Sequence, residues 1–379
     1  MLLSEEQRLV RDTARAFAAD HLAPHAAEWE RDGTFPRAAF AEMGRLGLMG
    51  VTVPTEWGGA GADTVSLALA LEEIAAGDGA VATVMSGHNS VGCMPLVDYG
   101  TEEQKAQYLP ALAEGRMLSA FCLTEPQGGS DAARLQTRAR ADGDGYVISG
   151  TKQFITTGAN ADLALVFAVT DPTAGKRGIS CFLVPTDSPG YEVARTEKKM
   201  GQNASDTCQI HFADVRVDAS ARLGAAGEGY KIALSNLEGG RIGIAAQAVG
   251  MARAALDCAL DYAGQRETFG KPIIEHQAVA FRIADRAADL EAARQLVLHA
   301  AALKTAGQPC LKEASMAKLF ASEAAERITS DALQTLGGYG YLQDFPIERI
   351  CRGVRVTKIY EGTNDIQRLV ISRALAGET

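Results

Sequence analysis

The stretch YVISGTKQFITTG, residues 146–158, alternates apolar and polar side chains and is rich in β-branched residues. This pattern is typical of a β-strand with one buried face, and it places Phe154 and Thr156 on the same side of the strand. Other short runs have the same character and are bounded by Gly, Pro, Asp or Asn; they lie at 161–171, 178–187 and 207–218. This part of the chain is therefore predicted to be a β domain.

Patterns typical of helices flank the β region on both sides. Before it, residues 66–77 and 101–115 have apolar side chains at helical spacing, and each stretch closes with glycine. After it come long alanine-rich stretches at 241–264, 274–306 and 311–336. Helices of this length in a compact protein usually belong to a bundle.

The order along the chain is therefore α, then β, then α-bundle, and the predicted fold class is a multidomain α+β protein. We expect an N-terminal helical domain over residues 1–117, a central β-barrel-like or β-sandwich domain over 118–228, and a C-terminal four-helix bundle over 229–379. The start of the chain agrees with a helical N-terminus, because Ser4 followed by Gln7 forms a capping-box pattern.

Composition and charge exclude several classes of protein. The formal net charge of −10 and the pI near 5.2 argue against a nucleic-acid binder, which needs a basic face. The apolar runs are shorter than a membrane span and no signal-peptide pattern opens the chain, so neither membrane insertion nor export is expected. Seven cysteines without a C-x-x-C pair suit free thiols in the cytoplasm. His21 and His25 share a helix face without a third ligand, so no metal site is predicted.

Familiar catalytic motifs are missing from the sequence: there is no P-loop, no G-x-G-x-x-G and no nucleophile elbow. Five other stretches stand out, although a turn, strand, loop or helix cap explains each one alone. They are FCLTEPQGGSD at 121–131 with an exposed-looking Thr-Glu-Pro turn, KQFITTG at 152–158, RETFGKPIIEHQ at 266–277, LQTLGGYG at 333–340 and KIYEGTNDIQR at 358–368. In the last stretch, Glu361 precedes a predicted helix, where a negative charge is favourable.

Taken together and in this order, the five stretches resemble the acyl-CoA dehydrogenase family of flavoenzymes, and the resemblance covers essentially the whole chain. The family's Y/F-x-x-[TS]-E-P-x-x-G-S-D motif matches Phe121–Asp131, and its W-I-T-N-G strand matches Phe154–Gly158. Its R-x-T-F-G…H-Q joint matches Arg266–Gln277, its Q-x-x-G-G-x-G motif matches Gln334–Gly340, and its I-Y-E-G-T segment matches Ile359–Thr363.

The resemblance implies an FAD cofactor whose flavin lies between the β domain and the C-terminal bundle. Thr156 would donate a hydrogen bond near the reactive N5, and the joint at 266–277 would grip the pyrophosphate and adenosine, in part across a subunit interface. The residues carried over as cofactor contacts are Phe121, Leu123, Thr124, Gly129, Ser130, Phe154, Ile155, Thr156, Arg266, Thr268, Phe269, His276, Gln277, Gln334, Gly337, Gly338, Thr363, Asn364 and Asp365.

The activity that the resemblance implies is α,β-desaturation of an acyl-CoA thioester to the trans-2-enoyl-CoA. Glu361 would be the catalytic base that removes the α-proton, while the β-hydrogen leaves as hydride to the flavin. The backbone N–H of Glu361 and a ribityl hydroxyl of FAD would stabilise the developing enolate, and exclusion of water would raise the carboxyl pKa. The residues carried over as substrate contacts are Ser130, Glu238, Arg241, Tyr360 and Gly362.

Some branches of the family carry the base on a helix in a segment that matches 236–247 of this chain. Gly240 stands where that glutamate would be, and Glu238 would face away from it on a helix. The base therefore falls to Glu361. Two positions depart from the family pattern, since Phe154 replaces the usual tryptophan and Thr157 the usual asparagine.

The substrate and partners are less closely defined by the sequence. Residues 77–115 contain no arginine that could pair with a second carboxylate, so an uncharged short, medium or branched acyl chain is expected. The family implies an electron-transferring flavoprotein as acceptor, a homotetramer, and a role in fatty acid metabolism or branched-chain amino acid catabolism. Two alternatives stay open: an acyl-CoA oxidase, although oxidases are usually longer, and a DNA-associated member of the fold, although that class needs a basic surface.

Overall fold

The N-terminal part of the computed structural model, which describes residues 2–377, is helical. Ser4 Oγ accepts from Gln7 N at 3.1 Å and Gln7 Oε1 accepts from Ser4 N at 3.0 Å, so the predicted capping box is confirmed. A π-helical segment, His88–Cys93, joins two of the helices. The helices are α1 (Glu5–Phe17), α2 (Ala26–Asp32), α3 (Arg37–Arg45), α4 (Thr64–Gly77), α5 (Gly79–Gly87), α6 (Met94–Tyr99) and α7 (Glu102–Ala113).

The central part of the chain forms one twisted sheet. Its strands are β1 (Ser119–Cys122), β2 (Arg138–Asp142), β3 (Gly145–Thr156), β4 (Leu163–Val169), β5 (Ile179–Pro185), β6 (Tyr191–Thr196), β7 (Thr207–Asp218) and β8 (Arg222–Leu223). The order is β6-β7-β3-β2-β4-β5-β8, and β1 pairs with β4 in parallel. The predicted strand runs are confirmed as β3, β4, β5 and β7. The short strands β1, β2, β6 and β8 were not predicted.

Strand β4 is the centre of the β domain because it is buried on both faces. Leu165 and Phe167 pack with Leu112 of α7 in one apolar cluster. The alternating Val166 and Ala168 pack on the other face, inside the β domain. A strand covered on both faces has a continuous apolar sequence instead of an alternating one, as LALVFAV does.

The C-terminal part is a helical bundle. It consists of α8 (Gly229–Gln265), a two-stranded hairpin of β9 (Glu267–Thr268) and β10 (Lys271–Pro272), α9 (Gln277–Thr305), α10 (Leu311–Leu336), α11 (Pro346–Val354) and α12 (Asn364–Leu375). Helix α8 packs against α4, α5, α9 and α10. The structure therefore confirms the predicted fold class and the order of its layers.

Helix α8 is the longest element and differs from its prediction. The helix begins at Gly229, whereas the alanine-rich pattern in the sequence begins at residue 241. The pattern missed the first part of the helix because Gly239 and Gly240 interrupt the apolar spacing that marks a helix. Judged by length and composition alone, it is also the one helix within residues 2–377 that could cross a membrane. In the fold, 78% of its most apolar window is buried inside the protein.

Candidate active site

A cavity of about 270 Å³ lies where the β domain meets α5, α8 and the segment before α12. About two thirds of the residues that line it come from the five sequence motifs and from α8. Those predicted from the sequence are Phe121, Leu123, Thr124, Gly129, Ser130, Phe154, Thr156, Arg241, Tyr360, Glu361 and Gly362. The fold thus brings together residues that are up to 241 positions apart in the chain.

Glu361 reaches this cavity from an unusual backbone conformation. Its φ angle is +53°, in the left-handed region that non-glycine residues seldom adopt, and such residues are concentrated at functional sites. Its Oε2 atom is buried and has no hydrogen-bond partner. Burial raises the pKa of Glu361 to about 7, although the positive charges of Arg241 and Lys318 act in the opposite direction. The carboxyl group is therefore close to half-ionised near neutral pH.

Gly240 lies directly against the Glu361 carboxylate. A Cβ atom at position 240 would come within 2.7 Å of Glu361 Oε2, and real Cβ atoms do not approach this closely. Position 240, which the sequence resemblance gave as the alternative place for a base, thus meets the same point in space as the Glu361 carboxylate. Glu238 lies elsewhere: its Oε1 is 3.3 Å from Lys304 Nζ and accepts from Cys310 Sγ at 3.1 Å.

The turn that carries Glu361 is held by side chains from its own helix and from a neighbour. Gln367 Nε2 donates to Glu361 O at 3.1 Å and to Gly362 O at 2.9 Å. Thr363 is the N-cap of α12, and its Oγ1 accepts from the backbone N of Ile366. These bonds fix the backbone from Glu361 into the start of α12. Sequence reasoning missed Gln367 because its acceptors are backbone oxygens, which leave no trace in a residue pattern.

Tyr360 belongs to a buried polar network beside the base. Its hydroxyl donates to Gln247 Oε1 at 2.7 Å, and Gln247 Nε2 donates to Thr83 Oγ1 at 2.6 Å. Thr83 Oγ1 in turn donates to Gln202 Oε1 at 2.5 Å. Burial raises the pKa of Tyr360 to about 12, so this phenol stays neutral. The network joins α5, α8 and the β domain; the signal for it was Gln247, a polar residue in an apolar part of α8.

The β-domain wall of the cavity is shaped by a bulge. The pairing of β3 with β7 shifts between Lys152 and Ile155, and Phe154 at this point has φ +57°. Phe154 is consequently 64% exposed toward the cavity side, together with Thr156, whereas Ile155 packs into the β-domain core. An aromatic face and a hydroxyl are therefore presented side by side.

Glu125 of the Thr-Glu-Pro turn is not exposed, contrary to expectation. It is only 2% exposed, and its Oε1 accepts from Lys152 Nζ at 2.8 Å. Backbone N–H groups of Gln136 and Thr137 donate to the same carboxylate. Burial acts to raise the pKa of Glu125, but Lys152 and these donors outweigh it and lower that pKa. The pair ties the loop of Leu123 to strand β3.

The cavity lining carries little charge besides Glu361 and Arg241. His88 lies on the wall with Nε2 donating to Leu112 O at 3.0 Å, and its Nδ1 accepts from the backbone N of Ser119 at 3.3 Å. Burial lowers the pKa of His88 to about 4, so the ring is neutral. Arg241 is buried, and its Nη1 donates to Ser315 Oγ at 3.2 Å.

A second, more open crevice of about 600 Å³ is lined by Arg266, Thr268, Gly337 and Gly338. A Cβ atom at either glycine would meet no atom within 4 Å, so a ligand could approach the backbone closely there. The Arg266 guanidinium lies 5.9 Å from the centre of the Tyr339 ring. This crevice offers a positive charge beside bare backbone.

The remaining predicted contacts lie outside both cavities. Phe269 is 96% exposed and makes an edge contact with His276, whose Nε2 donates to Thr268 O. Asn364 is buried and bonded to Ser322 and Lys318. The others are Ile155 in the β core, Gln277 at the start of α9, Gln334 near the end of α10, Thr363 at the cap of α12, and the exposed Asp365.

The residues present fit an FAD cofactor. The exposed face of Phe154 can cover one side of a flavin ring, Thr156 supplies a hydroxyl, and Arg266 beside Gly337 and Gly338 suits a diphosphate. No group of three His, Cys, Asp or Glu side chains within residues 2–377 could hold a metal ion.

Comparison with known proteins agrees with this site. Residues 4–116, 120–215 and 227–376 match the N-terminal, middle and C-terminal domains of acyl-CoA dehydrogenase. The short-chain specific acyl-CoA dehydrogenase of Bos taurus mitochondria is 47% identical over 370 residues, which are 98% of this chain and 90% of that protein.

Two solved structures share the fold closely. Butyryl-CoA dehydrogenase from Megasphaera elsdenii superposes with a TM-score of 0.97 at 41% identity, over 99% of both chains. A chain from the structure described as "Electron transferring flavoprotein of Acidaminococcus fermentans: Towards a mechanism of flavin-based electron bifurcation" superposes with a TM-score of 0.98 at 45% identity, over 99% of both chains. The domain matches, these similarities and the site confirm the resemblance: the chain belongs to the acyl-CoA dehydrogenase family of FAD-dependent oxidoreductases.

Proposed function

We propose that this protein catalyses α,β-desaturation of a short acyl-CoA thioester to the trans-2-enoyl-CoA, with Glu361 as the base. The observation that carries the proposal is the Glu361 carboxylate, which faces the cavity while its buried Oε2 has no partner. Buried carboxylates are normally hydrogen-bonded, so an unpaired one has a role outside structural stability. A ligand with a removable proton gives it that role.

The raised pKa of Glu361, about 7, suits a general base. A base with a pKa near the working pH combines a large ionised fraction with the greatest affinity for the proton. The α-proton of the thioester passes to the Glu361 carboxylate. Gln367 and the left-handed backbone keep that carboxylate aimed at the cavity while the proton moves.

The backbone N–H of Glu361 supports the same step. Within residues 2–377 it donates to no acceptor, although the carbonyls of residues 361 and 362 are both bonded. A free N–H beside the base can donate to the thioester carbonyl oxygen and stabilise the negative charge that develops there. One residue thus supplies both the base and a donor.

The Phe154 wall would hold the flavin of FAD, with Thr156 as a hydrogen-bond donor. The chemistry that bound FAD supplies is acceptance of the β-hydride, which completes the two-electron oxidation of the substrate. Arg266, Gly337 and Gly338 would hold the diphosphate, where the arginine can donate to two oxygens at once.

A short, uncharged acyl chain agrees with the neutral lining of the cavity. His88 is neutral, and the Arg241 guanidinium donates to Ser315. The relatives named for short-chain acyl-CoA and butyryl-CoA support the same chain length. Medium and branched chains are the alternatives that a substrate screen separates.

The physiological acceptor proposed is an electron-transferring flavoprotein. The similarity to the chain from the Acidaminococcus fermentans structure supports this choice. A homotetramer and a role in fatty acid metabolism or branched-chain amino acid catabolism belong to the same proposal and rest on the resemblance to the family alone. A cytoplasmic location is also proposed, and it rests on the seven cysteines, which have no C-x-x-C pair.

The test is reduction of the bound flavin by acyl-CoA under anaerobic conditions. The purified protein should be yellow, and butyryl-CoA should bleach it faster than glutaryl-CoA or long-chain acyl-CoA does. Absence of bleaching by every acyl-CoA would overturn the proposal. If air then reoxidises the reduced enzyme rapidly with release of peroxide, the protein is an acyl-CoA oxidase, and a shift of duplex DNA at physiological salt would indicate the DNA-associated alternative.

A further inference from the structure

Lys318 lies in the interior of the C-terminal bundle, beside the Glu361 turn and outside the cavity lining. It belongs to α10, which packs against α8, α9, α11 and α12, and its side chain is 0% exposed. Lysine is seldom buried this completely unless it is paired, because removing an ammonium group from water is costly. The sequence motifs did not single out this residue.

The Lys318 ammonium bonds only to neutral oxygen atoms. Its Nζ donates to Gly362 O at 2.9 Å and to Asn364 Oδ1 at 3.0 Å. Asn364 is itself fixed, since its Nδ2 donates to Ser322 Oγ at 3.0 Å. No carboxylate lies within salt-bridge distance of Lys318 in the described part of the chain. The lysine therefore holds the backbone immediately after Glu361, from a helix that precedes it by about forty residues.

The charged groups around this lysine are few, and most are already paired. Lys358, before the turn, contacts Glu326 at 2.6 Å, and Glu238 on α8 contacts Lys304 at 3.3 Å. Arg241 of α8 is the other cation near Glu361. Glu361 is thus the one nearby carboxylate, among residues 2–377, whose charge is not already matched by a direct partner.

The pKa shifts agree with this geometry. Burial lowers the pKa of Lys318 to about 7, and the negative charge of Glu361 counteracts that effect. Conversely, Lys318 and Arg241 counteract the burial that raises the pKa of Glu361. The two groups act on each other through the turn without forming a contact.

We propose that Lys318 is a positioning residue for the Glu361 base: it fixes the turn through Gly362 O and Asn364, and its positive charge keeps the carboxylate ionised at lower pH. The inference rests on the proposed function of Glu361 as the base. It explains why the buried ammonium of Lys318 bonds the backbone of Gly362, the residue after Glu361, and makes no contact with the Glu361 carboxylate. A direct salt bridge would occupy the oxygens that must receive the proton.

The experiment compares the pH dependence of kcat/KM in Lys318→Gln and in wild-type protein, with bound flavin and Tm as controls for folding. Glutamine keeps an N–H donor for Gly362 O but removes the charge. Glu361 must be ionised to act, so the acid limb of the profile should move upward by about one pH unit. The loss should be about tenfold at pH 6 and small at pH 9, and Lys318→Arg should restore the limb toward its wild-type position.

Lys358→Gln is the matched control, because it removes one positive charge three residues before the base from a lysine already paired with Glu326. Its acid limb should stay within about 0.3 pH unit of the wild-type value. An unshifted limb in folded Lys318→Gln overturns the inference, and so does an equal shift in both variants.

A measurement without turnover separates this inference from the proposed function. Infrared titration of the Glu361 carboxyl, isolated by subtraction of the Glu361→Gln spectrum, should show its pKa raised in Lys318→Gln. If that shift is seen in a protein that no acyl-CoA bleaches, the proposed function fails and the electrostatic role of Lys318 stands. If acyl-CoA bleaches the enzyme but the carboxyl titrates as in wild type, the inference about Lys318 is wrong. Lys318→Met serves in the same titration should the glutamine variant not fold.

Discussion

The β domain and the helical bundle each contain a fully buried lysine that acts on a glutamate, and the two arrangements differ. In the β domain, Lys152 Nζ contacts Glu125 Oε1 directly at 2.8 Å, and backbone N–H groups bond the rest of the carboxylate. In the bundle, Lys318 bonds the backbone after Glu361, and Glu361 Oε2 has no partner. The same two residue types therefore serve two purposes.

The difference lies in what the carboxylate can still accept. Lys152 and the backbone donors lower the pKa of Glu125 in spite of its burial, so that carboxylate is ionised and inert. The pKa of Glu361 is raised to about 7 because burial outweighs the distant cations. Glu125 has a full set of bonds and forms a structural ion pair with Lys152. Lys318 bonds the backbone of Gly362 instead, which leaves the Glu361 carboxylate able to take a proton.

The largest expected effect comes from removing the Glu361 carboxylate, whose Oε2 has no partner. Glu361→Gln should keep FAD bound but lower kcat for desaturation by about 10⁴-fold, because the amide cannot receive the α-proton. Glu361→Asp is the control, and it should keep part of the activity because it retains a carboxylate. Stopped-flow bleaching of the flavin measures the step; near-normal bleaching in Glu361→Gln would remove the base from this position.

Breaking the buried Lys152–Glu125 ion pair should lower the free energy of unfolding. Lys152→Met leaves Glu125 buried without its cation, which should destabilise the protein by about 4 kcal/mol. The double variant Lys152→Met/Glu125→Gln removes the uncompensated charge and should recover much of the loss. Urea unfolding of the FAD-loaded protein measures both, and a double variant no more stable than the single one would contradict the ion-pair explanation.

The sequence could predict the elements that repeat a simple pattern and the residues that lie in motifs. Strands β3, β4, β5 and β7 and the long bundle helices follow from periodicity, and Glu361 follows from its motif and from Gly240. The burial of Glu125 could not be predicted, because a charged residue before proline reads as an exposed turn until its partner on another strand is known. Lys318 was missed for a related reason, since its acceptors lie more than forty residues away.

Glu361→Gln should have a smaller effect on stability than Lys152→Met, and at high pH it should stabilise the protein instead of destabilising it. The pKa of Glu361 is about 7 in the folded protein against 4.5 as the ordinary value, so the native state binds this proton more tightly. Stability contributed by the group therefore falls as the pH rises from about 4.5 to about 7. Glu361→Gln avoids that loss and should be more stable than wild type at pH 8, by about 2 kcal/mol.

Glu125→Gln provides the contrast to that experiment. The pKa of Glu125 is lowered in the fold, so its contribution is present at neutral pH and is lost as the pH falls through the folded pKa. This variant should therefore be less stable than wild type at pH 8. Thermal unfolding at pH 5 and pH 8 measures both variants, and changes of the same sign at pH 8 would erase the distinction between the two glutamates.

The smallest effect concerns the wild-type rate profile. Because Glu361 must be ionised, kcat/KM should rise through a pH of about 7 and be about tenfold below its plateau at pH 6. Steady-state assays across this range measure the limb. An acid limb near pH 4.5 would mean that the Glu361 carboxyl is as well solvated as an ordinary glutamate. Burial without a partner would then not raise its pKa.

The contact between Gly240 and the Glu361 carboxylate has a consequence for where a carboxylate can be placed in this fold. Two segments 121 positions apart in the chain meet at one point beside the cavity. Only one of them can place a side chain there, and the other must then be glycine. What the fold specifies here is then a location in space for one carboxylate, and not a fixed position in the sequence. Exchange of the two residues, Gly240→Glu together with Glu361→Gly, would therefore keep a carboxylate at the same place in the cavity.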